Sequence, residues 1–102
     1  DRYVVRWSDQ AKSDLNAIHH FIARDSKHYA RKVVEELIDK TDLLNEFPRL
    51  GRIVPELGDE NVREVYAYAY RILYEVMPPD DRICMLAVVH KRRDLDPDTV
   101  GR

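Results

Sequence analysis

Residues 83–89, ICMLAVV, are the most apolar run of the chain, uncharged and rich in β-branched side chains. So short a run cannot hold a free-standing helix, and it reads as a strand covered on both faces, the centre of a sheet. It passes directly into the densest cluster of positive charge, HKRR at 90–93. That junction places a titratable imidazole and three cations, Lys91, Arg92 and Arg93, at a sheet rim. A chain of 102 residues, 44% of them hydrophobic, is long enough to wrap one core around such a strand and too short for two. A single domain over 1–102 is expected.

The other elements follow from periodicity and punctuation. Residues 3–7, YVVRW, put Tyr3, Val5 and Trp7 on one face of a short strand, and Ser8 with Asp9 then offers a helix N-cap. Ala11, Leu15, Ile18 and Ile22 recur at helical spacing, one narrow stripe along a helix that ends near Asp25. Ser26 can cap a second helix with the stripe Ala30, Val33, Val34, Leu37, Ile38, Thr41 and Leu44, and Pro48 forbids its continuation. Very few residues join the two, so an antiparallel helical hairpin is the natural geometry. Residues 47–61, FPRLGRIVPELGDEN, read as a long loop of the kind that tends to carry function. Residues 62–68 and 70–76 read as strands with a turn around 66–69, and PPDD at 78–81 turns the chain into the last strand. The tail DPDTVGR, 96–102, has no apolar pattern and is expected to be mobile.

This order predicts an α+β domain: an N-terminal strand, a two-helix antiparallel hairpin, then a three-stranded antiparallel meander, with the helices packed on one face of a twisted sheet. The other face is expected to be partly open, to carry polar side chains from alternate positions, and to hold the chemistry.

Composition excludes several classes. The 17 Lys and Arg against 19 Asp and Glu give a formal net charge of −2, so no global field draws the molecule to nucleic acid or to an anionic membrane. No apolar run approaches the roughly 20 residues a membrane helix needs, and the first residues given show no basic stretch followed by the apolar run of a signal sequence. The single Cys84 cannot form an intramolecular disulfide and reads as a small core residue of a protein in a reducing compartment, the cytoplasm. His19 and His20 are adjacent, cannot share a helix face and lack any Cys-x-x-Cys partner, so neither a metal nor another cofactor is expected.

Taken in order, WSDQAKSDL at 7–15, PRLGR at 48–52, PEL at 55–57, Arg63, YRILYEV at 70–76 and VVHKRRDLD at 88–96 resemble the ParE/RelE superfamily, the toxins of bacterial type II toxin–antitoxin modules. The likeness spans nearly the whole chain, and it lies in the order and spacing of the motifs rather than in any one of them. It implies a helical hairpin on a mainly antiparallel sheet, neutralised by a cognate antitoxin protein that wraps over it in a toxin–antitoxin hetero-oligomer.

The superfamily splits into two activities. RelE-like toxins cut messenger RNA on the ribosome, and likeness to them implies that Arg71 grips the scissile phosphate, His90 is the general acid and Glu56 the carboxylate base. Attack by a ribose 2′-hydroxyl needs those three roles. ParE-like toxins instead stop replication by binding DNA gyrase, a protein target that demands no basic surface. PRLGR and HKRRDLD look more like that branch, and from Arg49 onward 9 Lys and Arg face 10 Asp and Glu, a poor balance for holding a polyanion. The expectation is therefore growth arrest through gyrase. The alternative is ribosome-dependent mRNA cleavage by an endoribonuclease, and a further one is a non-toxic interaction module on the same fold. Arg52, Arg63, Lys91, Arg92 and Arg93 are the candidates for contact with target or antitoxin.

Plainer readings stand beside these. Arg71 can be an ion-pair partner of Glu64 or Glu75. His90 can be a solvated strand end, and Lys91, Arg92 and Arg93 a cap that protects the sheet. Tyr66, Tyr68, Tyr70 and Tyr74 can stack on bases or pack beneath a helix or a partner.

Overall fold

The computed structural model describes residues 2–93 and Leu95; the tail expected to be mobile, 96–102, lies outside the described residues. Strand β1 (Val4–Trp7) runs straight into helix α1 (Asp9–Ala23), and helix α2 (Lys27–Asp42) follows after three residues. Both helices begin where the sequence offers a cap. The Ser8 hydroxyl accepts from the Ala11 N–H at 3.0 Å and the Ser26 hydroxyl from the Tyr29 N–H at 3.1 Å, each satisfying a donor that a helix start leaves unpaired. A 3-10 turn, Leu43–Asn45, tucks Leu44 into the core before Pro48. Then come β2 (Arg52–Ile53), β3 (Val62–Ala67), β4 (Tyr70–Met77) and β5 (Arg82–His90).

The strands form one sheet in the order β1-β5-β4-β3-β2. The apolar β5 lies inside it, and β3, β4 and β5 form the expected antiparallel meander. The sheet as a whole is mixed rather than antiparallel, because β1 pairs parallel with β5, Val4 opposite Arg82 through Trp7 opposite Met85. The helices explain the direction. α1 carries the chain onward to where Ile22 and Lys91 border one groove beyond the end of β5, and α2 brings it back until the Tyr3 N–H donates to the Asn45 carbonyl at 3.0 Å. The meander thus sets out from the starting end of β1, and after three alternating strands β5 runs as β1 does. A second departure lies in the long loop, where Arg52 and Ile53 pair with Glu64 and Arg63 and extend the sheet by a short edge.

Beyond Trp7, side chains of α1 and its cap take over the exposed backbone edge of β5. The Ser8 hydroxyl donates to the Leu86 carbonyl at 3.1 Å, and the Asp14 carboxylate accepts from the Val88 N–H at 2.9 Å. Leu86 is an extra residue in β5, since Leu73 pairs with Ala87 but Tyr74 with Met85. This bulge lets Ile83, Met85 and Val88 all face the helices, which strict alternation would forbid.

The main core lies between the hairpin and this face of the sheet, with Val33, Leu37 and Leu44 packed against Ile72, Tyr74 and Ile83. The α2 stripe is narrower than its sequence suggests: Ile38 is exposed, and with Val34 it borders a groove opposite Leu15 and His19 of α1. The far face is less open than expected. Val54, Val62, Leu73, Leu86 and Leu95 form a second buried cluster there, with Leu57, Cys84 and Val89 against it. The loop folds back to supply Val54 and Leu57, and Gly58, at φ +63°, reverses the chain behind them. Burial in this cluster pushes the Cys84 thiol up from its ordinary pKa. Among the described residues no helix is long and apolar enough to cross a membrane.

Candidate functional site

The polar part of the far face is built on one strand pair. β3 turns Val62, Glu64 and Tyr66 to this side, and β4 turns Arg71 and Leu73, so Glu64 and Arg71 are diagonal neighbours. The Glu64 side chain is fully buried and that of Arg71 is 6% exposed. Arg71 donates from Nε to Glu64 Oε1 at 2.7 Å, and its Nη2 makes a second, shorter contact with the same oxygen. The loop delivers the other carboxylate: Glu56 takes Nη1 at 2.8 Å and Nη2 at 3.0 Å, a bidentate fork. From the solvent side Arg52 donates to Glu64 Oε2 at 2.5 Å and to the Tyr66 hydroxyl at 3.1 Å, and its guanidinium stands 5.7 Å from the Tyr66 ring centroid. Two cations and two carboxylates thus balance. Among the described residues no buried side-chain polar atom lacks a partner.

These pairings set the chemistry. The Arg71 guanidinium holds Glu56 down to about 2, against some opposition from desolvation, and Glu56 in turn raises Arg71 further above its ordinary value. A carboxylate so acidic has little drive to take a proton from a hydroxyl at neutral pH. Four of the five Arg71 N–H donors go to carboxylate oxygens, leaving little of its charge for a phosphate. Of the residues named as a nuclease trio, Glu56 and Arg71 are brought together, as partners of one another. His90 is not: it pairs with Tyr70, whose ring faces the helices, whereas Arg71 pairs with Val89 on the opposite face. His90 packs edge-on to Tyr70 at 5.9 Å, and its Nδ1 accepts from the Arg92 N–H at 3.2 Å.

The remaining candidates divide. Arg63 is a staple for the PRLGR loop, donating to the Glu60 and Gly51 carbonyls at 3.0 Å each. Lys91, Arg92 and Arg93 are exposed in the turn after β5, and the Lys91 N–H donates to Ala69 O at 2.7 Å. Two residues position the site in a way the sequence does not announce: Tyr74, expected only as a stacking or packing ring, and Asp14. Tyr74 is fully buried, and its hydroxyl accepts from the Gly51 N–H at 2.9 Å, fixing the loop that carries Arg52. Asp14 anchors α1 to β5. A polar tip on an apolar strand and an acid within an amphipathic helix were the only signals for them. Among the described residues no group of three or more His, Cys, Asp or Glu is placed to hold a metal ion.

A helical hairpin on a mixed sheet, with a parallel edge strand feeding the hairpin and an ion cluster beneath the meander, defines a small α+β domain with known counterparts. A structure of the chromosomal ParDE toxin–antitoxin system from P. aeruginosa superposes with a TM-score of 0.70 at 20% identity, covering 87% of this chain and 96% of that one. A mutant of the E. coli toxin RelE in the free state gives 0.66 at 17% identity, covering 90% and 86%. The toxin–antitoxin complex RelBE2 from Mycobacterium tuberculosis gives 0.60 at 22% identity, covering 88% and 99%. No curated protein matches the chain. Residues 5–95 match the family described as ParE toxin of type II toxin-antitoxin system, parDE. The chain belongs to that family, and it is a toxin of the ParE/RelE superfamily.

Proposed function

We propose that this toxin arrests growth by binding DNA gyrase, as one domain over residues 1–102 in the cytoplasm, and that a cognate antitoxin restrains it in a hetero-oligomer. The observation that carries the choice is the sequestration of Arg71 between Glu56 and Glu64. A nuclease of this fold would need that cation for the phosphate, a base near neutrality and an acid on the same face. Here the cation is committed, Glu56 is held to about 2, and His90 lies across the sheet. A formal net charge of −2 also offers little counterion release to an RNA-lined site. The antitoxin is supported by neighbours described as toxin–antitoxin complexes.

Messenger RNA cleavage on the ribosome is the second reading, favoured by the likeness to RelE. In a purified assay the chain, added to gyrase and relaxed plasmid, is expected to block supercoiling or trap cleaved DNA, with His90→Ala and Glu56→Gln as active as wild type. Codon-positioned breaks in messages of an induced culture, lost in both variants, with gyrase unaffected, would replace the gyrase reading with the nuclease one.

A further inference from the structure

The end of the molecule at the helical hairpin turn carries an aromatic groove set in positive charge. Ile22, Tyr29, Val33, Tyr68, Tyr70 and Lys91 line it. Tyr29 is 48% exposed and Tyr68 40%, and the neighbouring Phe21 is 66% exposed. Tyr29 and Tyr68 meet edge to face with centroids 6.4 Å apart. Tyr68 opens the two-residue turn between Ala67 and Tyr70 at φ +55°, in the left-handed region that a bulky side chain enters only at a cost. Glycine or asparagine would make this turn more easily, yet the position presents a half-exposed ring to the groove.

The charge around it is predominantly positive. Segment 24–32 holds Arg24, Lys27, Arg31 and Lys32 beside Asp25, and the β5 end adds Lys91, Arg92 and Arg93. Among the described residues none of these seven cations is in an ion pair. On a chain with a net charge of −2 this end is locally positive, even with Glu35 on the next turn of α2 and the Glu36 carboxylate facing the Tyr68 hydroxyl at the groove. Apart from Lys91 the lining is aliphatic and aromatic, and its rings meet edge-on rather than offering the parallel faces that stack on bases.

We infer that this groove docks an acidic segment of a protein partner through a bulky apolar anchor. The anchor sits between Tyr29 and Tyr68, and flanking carboxylates meet Lys91, Arg92 and Arg93. We take the occupant to be another molecule: Leu95, the last described residue, is buried with Val54 and Leu73 on the opposite face of the sheet. The inference rests on the family reading only in that a toxin of this kind has protein partners, and not on which target it inhibits.

The test needs neither antitoxin nor target: amide shifts of the isotope-labelled full chain are followed while a short synthetic peptide of alternating Glu and Phe or Leu is added. Shifts are expected to concentrate at residues 22, 29, 68–70 and 91–93. They should weaken several-fold with Lys91→Glu, with added salt, and when Ser replaces the apolar residues of the peptide. Tyr68→Gly suits the backbone, so its spectrum should stay folded while binding falls. No shifts, or shifts centred on the groove between Leu15 and Ile38, would overturn the proposal. So would an oligouridine that perturbs the same amides more strongly than the peptide. A chain truncated after Leu95 that binds the peptide several-fold tighter would reassign the groove to the chain's own tail and overturn it too. Growth-arrest assays play no part in the readout, so a failed gyrase reading leaves the result interpretable.

Discussion

Replacing Arg71 by methionine tests whether the ion cluster is principally a structural clamp. The substitution keeps an unbranched stem beside Leu73 but removes the cation shared by Glu64, fully buried, and Glu56, 30% exposed. Breaking a buried pair by removing one partner costs about 3–5 kcal/mol, because the other charge is stranded. Arg52 still reaches Glu64, though its own side chain is 61% exposed and solvent weakens that contact; a loss of about 2–3 kcal/mol is therefore expected. At roughly 4–8 °C per kcal/mol for a domain of this size, Tm should fall by about 10–20 °C. A thermal melt measures the fall in Tm and a urea titration the free energy, both followed by far-ultraviolet circular dichroism, with an unchanged m value showing that the folded state is intact. Replacing the whole pair should recover most of the loss, so Arg71→Met with Glu64→Leu is expected to be more stable than Arg71→Met alone. A single variant within about 1 kcal/mol of wild type, or a double variant as unstable as the two singles added together, would refute the clamp.

Two further outcomes follow from the same region. Glu56 titrates at about 2 when folded against an ordinary 4.5, so the unfolded chain binds its proton first as pH drops. Its contribution is complete above about pH 4.5 and fades toward about pH 2. With partial exposure the contribution is on the order of 1 kcal/mol, and the stability gap between wild type and Glu56→Gln should narrow between about pH 4.5 and about pH 2; a constant gap would show that the pair contributes nothing. At Gly51 a Cβ would lie 2.4 Å from the Glu64 carbonyl oxygen and 2.8 Å from the Tyr74 hydroxyl. Backbone cannot yield cheaply there, so Gly51→Ala should cost about 2 kcal/mol or more by chemical denaturation, and a loss under about 0.5 kcal/mol would contradict the close approach.

The elements of the fold were legible because their causes are local. Ser8 and Ser26 cap helices where the apolar spacing begins, and Tyr68 and Ala69 turn β3 into β4 within the expected interval. What the sequence hid depends on contacts between distant segments. Nothing within residues 3–7 says which way β1 lies against β5, nor does the PRLGR stretch reveal that its last residue, Arg52, and the next, Ile53, will pair with β3. The ion cluster was half legible: Glu64 was one of two partners foreseen for Arg71, whereas Glu56 meets Arg71 only because Val54 and Leu57 bury themselves under the sheet.

The position of His90 depends on a single residue. The PPDD turn sets Met77 opposite Arg82, and from there the pairs run regularly to Tyr74 opposite Met85. Continued without interruption, that ladder would put Val88 opposite Arg71, and His90, two residues on, would emerge on the face of Arg71. Cation, imidazole and the Glu56 carboxylate would then share one side of the sheet, the arrangement that phosphodiester cleavage requires. Leu86 intervenes as the bulged residue, the register moves by one, and Arg71 meets Val89 while His90 meets Tyr70. The bulge is held where Ser8 takes the Leu86 carbonyl and Asp14 the Val88 N–H, so the contacts that seat α1 on β5 also turn the imidazole away from the arginine.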